Sequence, residues 1–260
     1  MSAAARLGRR FGNHLYRVAF SFYRPLYSAF KAYQDRAERR LLTGWLSPGA
    51  VVVDAGANIG IYSRFLAGCV GPTGTVHSFE PSPDNFAHLR DLVSHLPNVR
   101  PNPVAVSDKT GESLLYLSDD LNVDHRAYST EGEPRRTVLV QFTRLDDYFE
   151  TGARVDFIKM DIQGFELHAL RGAERILTEN PQIRLQVEFW PYGLVKAGDS
   201  PEAVASFLQE HELHAAALKR GELIPFEFST IDPSDPTQYT NLFVQSRSRR
   251  AEPRKATMRG

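Results

Sequence analysis

A chain of 260 residues, 42% apolar and 24% charged, suits one globular α/β domain with extensions, and its single cysteine excludes an internal disulfide. The formal charge is zero but uneven: residues 1–46 carry nine Lys or Arg against Asp35 and Glu38, residues 247–260 carry six against Glu252, and residues 47–246 sum to −12. An acidic middle argues against nucleic acid as the main partner, while basic ends suit anionic surfaces.

Residues 1–46 space Phe11, Leu15, Val18, Phe22, Leu26, Phe30 and Tyr33 at helical intervals. Pro25 should break or kink the run, so two helices are predicted, with Arg9, Arg10, Arg17 and Arg24 on their polar sides. The stripe suits a lid packed on the main domain. Its mixture of aromatics and cations also suits a helix lying on a membrane surface. No run reaches the ~18 apolar residues of a spanning helix, and the N-terminus lacks the apolar block of a secretory signal. A cytoplasmic protein is expected, with any membrane contact peripheral and made through residues 1–46.

From residue 51 strands and helices alternate. Residues 51–53, ending at Asp54, read as a buried parallel strand, 59–70 as a helix, 75–79 as a second strand and 83–96 as a second helix. Residues 99–106 read as a third strand and 112–117 as a short hairpin partner. A long polar loop covers 118–136. Residues 137–142 read as a strand, 145–149 as a short helix, 155–160 as a strand ending at Asp161, and 164–177 as a helix. A strand at 183–189, a helix at 201–211 and strands at 213–218 and 240–244 complete a main domain spanning 47–246. The Arg-rich tail 247–260 is expected to be disordered.

Such alternation implies a mostly parallel sheet with helices on both faces and right-handed crossovers. Ligands of these sheets bind beyond the carboxyl ends of the strands, where strand order reverses. That rule gathers residues 54–60, Glu80, Ser107, Asp108, Asp161 and Glu188 on one rim.

Three motifs on this rim carry chemistry. Asp54-Ala55-Gly56-Ala57-Asn58-Ile59-Gly60 follows a strand and opens a helix. Gly56 permits a sharp turn and Gly60 close packing. The spacing is not that of a dinucleotide loop, which offers a bare helix N-terminus to a pyrophosphate. An acid beside the loop suits instead a cationic ligand such as S-adenosylmethionine. Glu80, in Phe79-Glu80-Pro81-Ser82-Pro83, ends the second strand near the ~20-residue offset at which an acid binds ribose hydroxyls. Asp161 ends a strand in Ile158-Lys159-Met160-Asp161-Ile162-Gln163-Gly164-Phe165-Glu166. There Lys159 reads as a carboxylate's partner, and Glu166 falls in the first turn of a helix, where the dipole favours an acid.

Together with Arg144-Leu145-Asp146-Asp147-Tyr148 and Gly172-Ala173, these stretches resemble the FkbM-type family of S-adenosylmethionine-dependent methyltransferases across residues 48–245. The resemblance implies a Rossmann-like seven-stranded sheet with an antiparallel last strand. It implies S-adenosylmethionine as cofactor and O-methylation of a hydroxyl on a sugar, glycan or secondary metabolite. Carried onto this chain, it puts cofactor contacts at Asp54, Gly56, Ala57, Asn58 and Gly60, the ribose acid at Glu80, and an adenine contact at Ser107 and Asp108. Asp161 and Gln163 then line the methionine side or the acceptor pocket.

Methyl transfer needs an aligned nucleophile and a group to take its proton. Asp161, Glu188 and His125 are the candidate bases, His125 lying on a loop able to fold over the rim. Trp190 and Tyr192 either wall the acceptor pocket or pack. No second carboxylate pairs clearly with Asp161, so no obligatory metal is expected. Two other readings remain: an NAD-dependent oxidoreductase, disfavoured by Asp54 and the wider glycine spacing, and a non-catalytic cofactor-binding or membrane-associated scaffold, disfavoured by the intact acids.

Overall fold

In the computed structural model, residues 16, 18–118, 124–130, 132 and 135–246 are described. The tail 247–260, together with Arg9, Arg10, Phe11, Leu15 and Arg17, lies outside them. The extension forms α1 (Phe20–Gln34) and α2 (Arg36–Trp45). Pro25 sits inside α1 without ending it. The carbonyl that its missing N–H would have bonded belongs to Ser21, an exposed residue. The break falls at Asp35 instead.

β1 (Val51–Ala55), α3 (Ile61–Val70), β2 (Thr75–Phe79), α4 (Pro83–Val93) and β3 (Val99–Asn102) alternate as expected. α3 begins two residues late because Gly60 is left-handed at φ +86°. The expected strand 99–106 divides at Pro103, which lacks a ladder N–H. Asn102 pairs with Phe79 of β2, whereas β4 (Val104–Val106) leaves the main sheet and pairs with Gln141 onward. β4, β5 (Gly111–Leu117) and β6 (Arg136–Thr143) form a second sheet in the order β4-β6-β5.

The chain then runs through α5 (Leu145–Tyr148), β7 (Phe157–Met160), α6 (Glu166–Arg171), α7 (Glu174–Glu179) and β8 (Arg184–Phe189). The expected helix 164–177 is interrupted at Gly172, where a Cβ would lie 1.9 Å from the Ser107 carbonyl oxygen. α8 (Pro191–Lys196), α9 (Pro201–Glu210), β9 (Leu213–Lys219), β10 (Glu222–Pro225) and β11 (Thr240–Ser246) follow.

Among the described residues the main sheet has eight strands, in the order β10-β9-β11-β8-β7-β1-β2-β3. It is a mostly parallel, Rossmann-like α/β sheet. β11 runs antiparallel between β8 and β9, as the resemblance implies. The eighth strand, β10, is an antiparallel edge addition paired with β9. β1 is parallel to β2 on one side and β7 on the other. Strand order therefore reverses between β1 and β7, opening a crevice beyond their carboxyl ends.

Val53 and Ala55 face one apolar cluster and Val52 the other, so β1 is covered on both faces. α2 adds the fully buried Leu42 beside Val52, Leu66 and Phe157. α1 packs Tyr23, with Tyr16, Phe20 and Tyr27, against Ile59, Ile61 and Leu92. The extension is thus a lid, but on a different face from the expected one. Val18, Phe22, Leu26, Phe30 and Tyr33 are 58–71% exposed. The body offers Ile59, Ile61, Leu92 and the His88 ring, which stacks on Phe20 at 3.5 Å, and these select the tyrosine-rich face. No helix among the described residues is long and apolar enough to cross a membrane.

Candidate active site

The loop after β1 owes its shape to close backbone approaches. Gly56 has φ +78°, and a Cβ there would sit 2.0 Å from the Asp161 carbonyl oxygen at the end of β7. Asn58 is left-handed despite its side chain (φ +51°). Its Oδ1 accepts from the Ile59 N–H at 2.8 Å, the local bond that makes Asn tolerant of this conformation. All the loop donors from 56 to 60 are occupied. Gly56 and Ala57 donate to the Phe79 carbonyl, Asn58 to Glu80 Oε2 at 2.8 Å, Ile59 to Asn58 and Gly60 to the Ala57 carbonyl.

Glu80 accepts from Asn58 through one oxygen and from the Ser82 N–H, at 2.9 Å, through the other. Burial pushes its carboxyl up to about 7, against the pull of those two bonds. Asp54, an expected cofactor contact, lies instead beneath the loop, fully buried. It accepts from Ser63 Oγ at 2.7 Å and faces Lys159 Nζ at 3.7 Å. Gly60 also leaves the rim, where a Cβ would lie 2.8 Å from Leu89 Cδ1.

One cavity of about 1480 Å³ joins Gly56, Ala57, Asn58 and Glu80 to Ala105, Val106, Asp161, Gln163 and Glu188. That exceeds the ~300–1000 Å³ of a pocket for one drug-sized ligand. Ser107 and Asp108, the expected adenine contacts, do not line it. Ser107 donates to Asp108 at 3.0 Å, and Asp108 meets His168 Nδ1 at 3.1 Å. Gly172 packs over the Ser107 carbonyl. The lining residues are Ala105 and Val106, immediately before them.

Gln163, left-handed at φ +59°, ties the acids together. Its Nε2 donates to Asp161 Oδ1 at 3.2 Å and to Glu188 Oε2 at 3.1 Å. Tyr128 OH holds the Gln163 carbonyl at 2.8 Å. Lys159 Nζ lies 3.4 Å from Asp161, as its reading as a carboxylate partner requires. Burial works to raise the Asp161 carboxyl, but Lys159, Lys31 and the Gln163 bond outweigh it and hold the group below its ordinary range. Glu188 is driven well above its ordinary range, by burial first and then by the charges of Asp161 and Glu166. The two shifts run in opposite directions, favouring the ionised form of Asp161 and the protonated form of Glu188, a split of the kind that separates base from acid.

Glu166, the first residue of α6, accepts from the Ile162 and Gly164 N–H groups of the preceding turn at 2.9 and 3.3 Å. His125 lines the cavity, but its Nδ1 accepts from the Ser118 N–H at 3.1 Å. Burial lowers its pKa to about 4. The ring is therefore neutral with its proton on Nε2, which leaves that nitrogen a donor rather than a base.

The expected rim omits the part of the cavity wall that the N-terminal helices build. α1 and α2 contribute Tyr23, Tyr27, Lys31, Asp35 and Glu38. Lys31 pairs with Asp35 at 2.9 Å, and Glu38 accepts from Gln186 and Asn241 at 2.8 and 2.9 Å. The only sequence signal was the charged spacing Lys31, Asp35, Glu38 within an otherwise aromatic helix. Trp190 and Tyr192 do line the cavity. The Arg126 guanidinium lies 5.2 Å over the Trp190 ring and pairs with Asp124 at 2.8 Å.

This arrangement has relatives. The 31-O-demethyl-FK506 methyltransferase FkbM of Streptomyces tacrolimicus is 32% identical over 172 residues, 54% of this chain and 64% of the relative. The 2-O-methyltransferase NoeI of Sinorhizobium fredii (strain NBRC 101917 / NGR234) is 28% identical over 162 residues, 55% of this chain and 65% of the relative. Each match thus takes in less than two thirds of the relative's length. A family model described as Methyltransferase FkbM domain matches residues 54–213, from Asp54 next to the carboxyl end of β1 to the first residue of β9. That is more than half of the chain, and the chain belongs to the FkbM methyltransferase domain family.

Proposed function

We propose that the protein transfers the methyl group of S-adenosylmethionine to a hydroxyl of a small-molecule or glycan acceptor. The observation that carries this reading is the loop between Gly56 and Gly60. Its N–H groups are all spent within the protein, so it offers nothing to a pyrophosphate, yet Glu80 stands at its edge in the same cavity as ionised Asp161. An NAD site needs the opposite donor set. The residues present fit S-adenosylmethionine. Glu80 accepts two backbone bonds and a side-chain bond from Asn85, which leaves its carboxylate acceptor capacity for a ribose hydroxyl. Phe79, Ala105 and Val106 offer adenine an apolar wall, and Asp161 faces the cationic end.

When bound, S-adenosylmethionine supplies an electrophilic methyl group on a sulfonium. Asp161 would take the proton that the acceptor hydroxyl gives up on methylation. Gln163 and Lys159 fix Asp161 in place. Glu188 and the Nε2–H of His125 are positioned to orient the acceptor. Both relatives carry names that specify methylation at oxygen, and the cavity has room for cofactor and acceptor together.

The test is calorimetric titration with S-adenosylmethionine and, separately, with NAD, followed by mass spectrometry of hydroxylated acceptors. Micromolar binding of the first alone, then a gain of one methyl group, supports the proposal. Binding of NAD alone overturns it, and binding of neither favours a scaffold.

A further inference from the structure

α1 is apolar on two faces, and among the described residues only one of them packs on the rest of the chain. Tyr23 and Tyr27 pack on the body. Val18, Phe22, Leu26, Phe30 and Tyr33 recur every three or four residues on the other side, with exposures of 58–71%. A helix apolar on both sides belongs between two apolar phases, and a row of exposed large side chains marks a surface that meets a partner.

Charge identifies the second phase. Residues 1–46 carry a net charge of +7, whereas residues 47–246 carry −12. An anionic surface therefore attracts this end of the molecule and repels the rest, fixing the orientation. The cations adjoin the stripe: the Arg36 guanidinium lies 4.6 Å over the Tyr33 ring, and Arg40, one turn further, is exposed. The stripe is also continuous with the cavity, because Leu26 and Phe30 line both. We propose that the outer face of α1 docks on an anionic lipid bilayer, the helix lying in the headgroup plane. Docked this way, the cavity mouth meets the lipid surface, and an acceptor carried by a lipid reaches it without leaving the bilayer. The docking does not depend on the reaction assigned above.

The full-length protein is sedimented with vesicles of phosphatidylcholine plus phosphatidylglycerol and with vesicles of phosphatidylcholine alone, at low and high salt. The expected result is binding to the anionic vesicles that weakens with salt. The double variant Phe22→Ser/Tyr33→Ser should partition at least about tenfold less, from the loss of two buried rings. Both residues are exposed and outside the cavity, so S-adenosylmethionine titration of the variant serves as the folding control, with unchanged affinity expected. Absence of binding to anionic vesicles, or equal partitioning of the folded variant, overturns the proposal. So does a concentration-dependent dimer in light scattering that the variant abolishes, which would make this face a contact between two copies.

Discussion

Glu80→Gln isolates what the carboxylate contributes beyond its shape. Glu80 accepts from two backbone donors, Asn58 N–H at 2.8 Å and Ser82 N–H at 2.9 Å, one on each oxygen. Gln has one oxygen, so its amide must turn an NH2 toward one of them. A buried donor left unsatisfied costs ~1–3 kcal/mol. At ~2–4 °C per kcal/mol for a chain of this class, the melting temperature should fall by roughly 2–12 °C. Loss of the charged acceptor for the ribose diol should cost a further ~1.5–3 kcal/mol of binding, about 10- to 150-fold in the S-adenosylmethionine Kd.

The pH dependence is sharper evidence. Burial lifts Glu80 to about 7, and hydroxyl donors favour its ionised form, so wild-type affinity should rise as pH increases through 7. The variant should show no such rise. Calorimetric titration at several pH values, with thermal melts as the control for folding, reads both effects. A folded variant with wild-type affinity, or one that keeps the pH dependence, refutes the assignment of Glu80 to the ribose.

Gly56→Ala places a Cβ 2.0 Å from the Asp161 carbonyl oxygen at φ +78°, whereas Gly71→Ala meets only open space at φ +66°. Urea unfolding should show the strain alone, ~1–2 kcal/mol, at 71 and clearly more at 56; equal losses would mean that the β1–β7 approach does not constrain the loop. Asp161→Asn should lower kcat by ~10²–10⁴-fold, while Glu188→Gln, which mimics the protonated form that burial favours, should lower it far less. A larger loss at 188 would reverse the roles. Burial raises Glu166 from 4.5 to about 7, so the folded state binds the proton more tightly than the unfolded chain. The stability this confers is complete below pH 4.5 and is lost as pH rises through 7, at most on the order of 3 kcal/mol. Glu166→Gln keeps an oxygen for the Ile162 and Gly164 donors and should flatten the fall in stability between pH 5 and 8; an unchanged slope would place its origin elsewhere.

The parallel sheet and the positions of Gly56, Glu80 and Asp161 were legible because strand ends, glycines and acids share one order along the chain. What position could not reveal was direction. Asp54 lies next to the carboxyl end of β1, but its side chain points below the loop to Ser63 and Lys159. Ser107 and Asp108 follow a strand end too, yet that strand is β4, diverted at Pro103 into the second sheet. Pro103 was visible; its consequence was not, because pairing with β6 is a contact between residues 37 apart in Val104 and Gln141. β10 had a signal that went unused. Arg220 and Gly221 both have positive φ (53° and 89°), the two-residue turn that closes a tight hairpin. In α1 both apolar faces have helical spacing, so periodicity alone had no means of choosing between them.

The cavity's ionic composition narrows what it holds more than any single residue does. Among the described residues lining it are the carboxylates of Asp35, Glu38, Glu80, Asp124, Asp161 and Glu188, against the cations of Lys31, Arg126 and Lys159. Arg126 and Arg135 neutralise Asp124, and Lys31 pairs with Asp35. Lys159 is shared between Asp54 and Asp161. The remaining acids, Glu38, Glu80 and Glu188, all have raised proton affinities, first because burial strips their ionised forms of water. Such a site repels a phosphate-bearing ligand twice, by its charge and by its lack of free loop donors. A ligand with a sulfonium and an ammonium supplies what those carboxylates lack, and a neutral hydroxyl acceptor adds no further anion to the cavity.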